Sequence, residues 1–187
     1  STLKHHDLSL LDRRQLDALI LKTSHTLEKG LALKYPRPGF GQQRVKMLLE
    51  YLNFYNTRYG IDDTSALAIS VLTAYQKFNA THGIKDTELE QIITEYLDQC
   101  AGQGYATDRG GVKTVDRDEI LRSSQIDVES FLTSRHSVRQ FGEESVPQAV
   151  IERAVTVAQS TPSVCNRQPW RVYAFDDMEM IQKLLAF

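Results

Sequence analysis

The chain has two cysteines, Cys100 and Cys165. They are too few for a disulfide scaffold and lack metal-ligand spacing, which points to a reducing compartment, the cytoplasm. Net charge is also nearly absent, since 22 Lys and Arg against 24 Asp and Glu leave −2 with His neutral. That balance excludes affinity resting on a global basic field for nucleic acid, and it excludes an acidic tail. Basic and aromatic residues do not interleave in any stripe, so no nucleic-acid partner is expected. No apolar run approaches the roughly 18 residues of a membrane span, and the opening STLKHHDLSLLDRRQ has no apolar signal core, so neither membrane nor secretion is expected. Internal repeats and low-complexity tracts are missing too. With 41 % hydrophobic and 25 % charged residues, the composition is that of a globular protein. A length of 187 residues allows one domain, or a small one plus part of another.

Proline is absent from 39 to 146, since the five prolines stand at 36, 38, 147, 162 and 169. Within that interval the stretch AGQGYATDRGG gathers Gly102, Gly104, Gly110 and Gly111. A proline-free interval rich in helical patterning and broken by one glycine cluster reads as a helical region ending near residue 100. The expected organisation is a helical region over 1–100, a glycine-rich linker over 101–125 and a different domain from 126 to 187.

Four helices are predicted in the first part. The first covers about 8–29, with Leu16, Leu19, Ile20 and Leu27 on one face and Gly30 as its C-terminal stop. The second covers about 42–59 and repeats Val45, Leu48, Leu49, Leu52, Tyr55 and Tyr59 at steps of three and four. The third covers about 63–81, starts at Asp63 or Thr64 and carries Leu67, Val71, Ala74, Tyr75 and Phe78. The fourth opens at Asp86 or Thr87, where Thr87-x-x-Glu90 has the spacing of a capping box, and buries Leu89, Ile92, Ile93, Tyr96 and Leu97. Each stripe spans about a third of its helix, the width of a helix that packs on others.

After the linker, Asp127 begins a short helix to about Ser134, and SVRQF follows in extended form. Ser145-x-x-Gln148, with Pro147 in the first turn, starts a helix through Ala149, Val150, Ala154, Val155 and Ala158. The turn-rich STPSVCNRQP leads into WRVYAF, the best strand in the sequence, and Asp177 caps a helix over MEMIQKLLAF. A lone strand cannot form a buried sheet, so it either pairs with another chain or belongs to the front of a larger fold.

Two constellations can carry chemistry. In an extended Arg135-His136-Ser137-Val138-Arg139, residues 135, 137 and 139 share a side, so two guanidinium groups flank a hydroxyl. That trio suits a phosphate or a polyhydroxyl chain, and it equally describes a solvated strand edge. His136 points the other way, where a structural role is expected. The second constellation is Pro162-Ser163-Val164-Cys165-Asn166-Arg167-Gln168-Pro169-Trp170, a loop stiffened by prolines and supplied with hydroxyl and amide groups. Alone it reads as a turn with a tryptophan anchor. Cys165 has no base nearby in sequence and is not expected to be a nucleophile.

Taken together, the stretch FLTSRHSVRQFGEESVPQAVIERAVTVAQSTPSVCNRQPWRVYAF resembles the opening of the nitroreductase family. Arg135, His136, Ser137, Val138, Arg139 and Phe141 fill its first signature, R-[RH]-S-[VI]-R-x-F. Pro162, Ser163, Asn166, Gln168, Pro169 and Trp170 fill its second, A-P-S-x-x-N-x-Q-P-W, with Thr161 standing where Ala is commoner. The resemblance covers residues 127–187. It implies FMN bound at the interface of a homodimer, reduced by NAD(P)H and reoxidised by an electrophilic small-molecule acceptor in a ping-pong cycle. By the same resemblance Arg135, Ser137 and Arg139 hold the FMN phosphate and ribityl chain, with His136 carried along as part of the signature. Pro162, Ser163 and Asn166 are implied as ring or ribityl contacts, and Gln168 is placed with them. The flavin carries the chemistry, and no side chain in this sequence is required as a general acid.

A second resemblance lies in the N-terminal region. His25-Thr26-Leu27-Glu28-Lys29-Gly30-Leu31 followed by Arg37-Pro38-Gly39-Phe40-Gly41 is similar to the leader of nitroreductase-family proteins often linked to bacterial surface-polysaccharide loci. His25 and Glu28 share a helix face, but two ligands do not make a metal site, and a structural role is expected for the motif. The implied fold class is α+β, a nitroreductase-like fold incomplete in this chain, preceded by an all-α region, with the chain itself mostly helical. The central and C-terminal parts of the family's domain are missing from the sequence, so the length reads as a truncation, and the chain alone is expected to hold FMN poorly. A helical interaction or scaffolding protein with a non-catalytic nitroreductase remnant is the competing expectation.

Overall fold

The computed structural model describes residues 7–85, 87–104, 109–142 and 144–186, apart from the side chain of Asn166. It divides into two units, Ser1–Lys113 with Ser163–Arg167, and Thr114–Pro162 with Gln168–Phe187.

The first unit is built from helices α1 (Arg13–Leu31), α2 (Gln42–Tyr59), α3 (Asp63–Thr81) and α4 (Glu88–Cys100), after a short 3-10 turn at Leu8–Leu10. The start of α1 falls later than the apolar pattern suggests because Asp12 and Gln15 form a capping box. Asp12 Oδ1 accepts from Gln15 N at 2.8 Å, and Gln15 Oε1 accepts from Asp12 N at 3.0 Å. Asp62, rather than Asp63 or Thr64, caps α3, accepting from the amides of Thr64 and Ser65. Thr87 caps α4 by accepting from Glu90 N, while Asp86 lies outside the described residues. The Glu90 side chain does not close the expected box. It turns into the core and accepts from Asn79 Nδ2 at 2.7 Å.

The stripes on α1 and α2 face the core as expected, with Leu16, Ile20, Leu27, Val45, Leu48, Leu49, Leu52 and Tyr55 buried. Helix α3 departs from its predicted single stripe. Ala66, Ala68, Ile69, Ser70, Val71, Leu72 and Tyr75 are all buried, so more than one face is covered. It is the central helix, packed against α1, α2 and α4. The small residues between its apolar ones are what let three neighbours approach. On α4, Leu89, Ile93 and Tyr96 are buried, but Ile92 is exposed.

Gly30 is not a helix stop. Helix α1 runs through it to Leu31 and closes on Ala32, whose amide donates to Glu28 O. A Cβ on Gly30 would fall into the edge of the Phe40 ring, 2.6 Å from Cζ. The glycine is there for close approach, and Phe40 in turn packs edge-on against Tyr75 and Phe78. Alanine at this position gains about 1 kcal/mol of helix propensity but forces the ring out of its seat, an overpacking cost of about 2–3 kcal/mol. Gly30→Ala is therefore expected to destabilise the chain by about 1–2 kcal/mol in a urea melt.

The second unit contains α5 (Arg117–Ser123), α6 (Val128–Thr133), α7 (Gln148–Ala158) and α8 (Met178–Leu185). Helix α5 was not expected. It lies inside the stretch read as linker and is capped by Asp116, which accepts from the amides of Asp118 and Glu119. Asp127 caps α6 and Asp177 caps α8 through their side chains, while Pro147 takes the N-cap of α7 without a side-chain bond, in place of the Ser145 box. The strand expected over 170–175 is not formed, and no strand occurs among the described residues. The chain is therefore mostly helical, and the expected sheet is not seen. A strand is defined by its hydrogen-bonded neighbour, and β propensity in WRVYAF cannot supply one. No side chain of α5 to α8 is buried. Phe131, Phe141 and Tyr173 stand at least 70 % exposed.

Candidate functional site

The first signature leaves the C-terminus of α6. That helix is fixed at its start by Asp127, which accepts from both the amide and the hydroxyl of Ser130. The Ser130 hydroxyl, then its amide, hold the Asp127 carboxyl below the usual range. At the other end Arg135 N donates to Leu132 O, and residues 135–141 continue as irregular, solvent-facing chain. Arg135, His136, Ser137 and Arg139 are all exposed. Among the described residues neither Arg135 nor Arg139 forms an ion pair or a side-chain hydrogen bond. Two guanidinium groups with ten N–H donors between them thus stand uncommitted beside a serine hydroxyl, a donor set suited to a phosphate.

The second signature follows α7. Thr161 and Pro162 are exposed, Ser163 is half-buried in extended backbone, and Val164–Asn166 form a 3-10 turn. The side chain of Asn166 lies outside the described residues. Cys165 and Gln168 adopt left-handed backbone, with φ of 53° and 43°. For residues other than glycine each such conformation costs about 1 kcal/mol or more. Gln168 is half-buried and its amide is engaged at both ends. Nε2 donates to Thr161 O at 3.1 Å, and Oε1 accepts from Trp170 Nε1 at 2.8 Å. The structure therefore brings Thr161, Gln168 and Trp170 together. Sequence reasoning assigned Gln168 to the cofactor and saw Trp170 only as an anchor. The signal for their pairing was the spacing of two residues between an amide and the only tryptophan.

Comparison with known proteins decides what the two signatures belong to. A model described as "Nitroreductase family" matches residues 132–187. Over this segment, which holds both signatures, the chain is similar to the nitroreductase family. Among curated proteins, the chain is similar to an iodotyrosine dehalogenase 1 homolog of Caenorhabditis elegans, 40% identical over 74 residues that make up 38% of this chain and 22% of that protein. It is also similar to an iodotyrosine deiodinase of Haliscomenobacter hydrossis, 30% identical over 66 residues, 35% of this chain and 30% of that protein. A third relative, named for NADH dehydrogenase/NAD(P)H nitroreductase activity, comes from Methanothermobacter thermautotrophicus and is 28% identical over 61 residues, 33% of this chain and 32% of that protein. The chain thus spans less than a third of the length of each of these relatives. No solved structure matches it.

The His25–Glu28 pair lies in the helical unit. His25 Nδ1 is 3.5 Å from Glu28 Oε2, and Glu28 Oε1 accepts from the Gly111 amide at 3.0 Å. No group of three or more metal-ligating side chains occurs among the described residues. Glu28 instead fastens the end of the glycine cluster to α1. Next to it Gly110 lies so close to α3 that a Cβ would sit 2.6 Å from Leu67 O and 2.7 Å from Val71 Cγ2, and Arg109 pairs with Asp63. No helix among the described residues is long and apolar enough to cross a membrane.

Proposed function

We propose that this chain carries the opening part of an FMN-dependent oxidoreductase that reduces an electrophilic acceptor with NAD(P)H. The observation that carries the reading is the pair of uncommitted arginines, Arg135 and Arg139, beside Ser137 within the nitroreductase-family segment. These three residues fit a phosphate by donor chemistry, since planar forked guanidinium donors and a hydroxyl match its oxygens. Pro162, Ser163 and Asn166 are assigned to the ring and ribityl side, and His136 to the frame of the first signature. FMN held by these residues would supply the two-electron redox chemistry linking NAD(P)H to the acceptor in a ping-pong cycle. The residues of this chain bind and orient it.

Two relatives are named for iodotyrosine dehalogenation and one for nitroreduction, and both are reductions that a flavin serves. The complete protein is proposed to be an α+β homodimer in the cytoplasm. That the second unit buries no helix side chain by itself supports a fold finished by further chain and a partner subunit.

Purified full-length protein is expected to be yellow and to release FMN on denaturation. Replacing both Arg135 and Arg139 by alanine in that protein should weaken FMN retention tenfold or more, read by equilibrium dialysis. Unchanged retention in the double variant would remove the phosphate role. A colourless full-length protein with no thermal shift on added FMN would leave the helical interaction or scaffolding reading instead.

A further inference from the structure

We propose that Gln168 is a positioning residue that braces the second signature, and not one of its cofactor contacts. This rests on the flavin reading above for its functional consequence, but the brace itself is a property of the chain. One amide group joins the two ends of the loop. Its nitrogen donates to the carbonyl of Thr161, directly after α7, and its oxygen accepts from the indole of Trp170. A side chain engaged in this way offers one N–H and one lone pair fewer for a ligand. Between the two ends lie Pro162, Ser163 and Asn166, the residues assigned to FMN. The loop also holds two left-handed residues, Cys165 and Gln168 itself. Such backbone persists only where the surroundings over-determine it. The Thr161–Gln168–Trp170 bridge ties the two ends of the loop together and restrains Gln168 in that conformation, so the ends are held before any ligand arrives. That is preorganisation of a binding loop by a residue that does not touch the ligand.

The chain offers a direct readout because Trp170 is its only tryptophan. In this 187-residue chain, 15N-labelled, there is one indole N–H cross-peak, and it reports on the bond to Gln168 Oε1. Gln168→Ala is expected to shift that peak in the flavin-free protein and to speed its hydrogen exchange roughly fivefold. Gln168→Glu keeps an acceptor for the indole but loses the donor to Thr161, so it should restore the peak position and still loosen the loop. Gln168→Asn separates backbone from reach. Asparagine tolerates left-handed backbone well, but it is one methylene too short to span both partners, and it should behave as the alanine variant does. In full-length protein carrying flavin, the alanine and asparagine variants should retain FMN roughly tenfold less well, with the glutamate variant between them and wild type.

The outcomes separate cleanly. An indole peak in the flavin-free protein that does not respond to Gln168→Ala overturns the brace. So does weaker FMN retention with an unmoved flavin-free peak, since that is the signature of a direct contact. Wild-type full-length protein that holds no FMN, with a peak that does move, overturns the proposed function and leaves the brace standing.

Discussion

Asn79→Ala is expected to lower the stability of this chain by about 2.5–4 kcal/mol, moving the urea midpoint down by roughly 1–2 M. Asn79 is 1 % exposed on the central helix α3, and both ends of its amide are committed. Nδ2 donates to Glu90 Oε1 at 2.7 Å, and Oδ1 accepts from the Gly39 amide at 3.0 Å. Glu90 is itself only 7 % exposed. Truncation therefore orphans a buried carboxylate oxygen and a backbone N–H together. Losing a bond to a charged group costs about 1.5–3 kcal/mol and a stranded amide about 1 kcal/mol more. Pairing the substitution with Glu90→Leu identifies the mechanism. Once the charge is gone Asn79 has less to satisfy, and the double variant should lose less than the sum of the two singles. An unchanged midpoint for Asn79→Ala would show that Glu90 reaches water by another route.

That pair also accounts for the motif in the N-terminal region. Asn79 holds Gly39 N, Tyr75 donates from its hydroxyl to Phe40 O at 2.6 Å, and the Phe40 ring lies against Gly30. Gly30 and the turn 37–41 are two halves of one lock, with α3 supplying both hydrogen bonds. The motif builds the fold, as expected, although not by helix termination.

How much of this was legible beforehand follows from the range of each interaction. Caps and stripes are local, so α2, α3 and the capping threonine of α4 could be read from spacing. Interactions between residues far apart in sequence could not. Nothing in His25-x-x-Glu28 indicates that the carboxylate reaches the Gly111 amide, 83 positions away. Nothing in Thr87-x-x-Glu90 shows that Glu90 leaves the box for Asn79. Burial of α3 on several faces was hidden by its Ala and Ser residues, which carry little apolar signal yet permit the closest packing. In the second unit the apolar faces of α7 and α8 were visible, whereas WRVYAF forms no strand because none of the described residues pairs with it. The signatures were legible as family sequence. The division of labour inside them was not, because Gln168 looks like any other polar loop residue until its two partners are seen.

Asp62→Ala should cost about 3 kcal/mol, because one carboxylate joins three helices. Oδ1 caps α3, accepting from the amides of Thr64 and Ser65 at 3.0 and 3.1 Å. Oδ2 accepts from the Tyr55 hydroxyl on α2 at 2.6 Å and from Arg13 Nη2 on α1 at 2.7 Å. The cap contributes about 1 kcal/mol and the bond from the buried phenol about 1–2 kcal/mol, while the solvent-screened Arg13 pair adds little. The pH dependence has two limbs. Burial by itself would raise the Asp62 pKa, but the bonds from Tyr55, Ser65 and Arg13 together outweigh it and hold the carboxyl below its ordinary 3.8. Its stabilisation is therefore fully present above that value and is lost as pH falls through the lowered folded pKa. Tyr55 moves the other way. Burial, then the carboxylates of Asp62 and Asp17, push its phenol above the ordinary 10.0. The stability it contributes is complete below pH 10 and is lost as pH rises beyond it. Asp62→Asn should consequently flatten the acid limb of a stability–pH curve, and Tyr55→Phe the alkaline one. If Asp62→Asn left the acid limb as steep as in wild type, the proton uptake of acid unfolding would belong to other carboxylates, and the three-helix junction would be held by its cap alone.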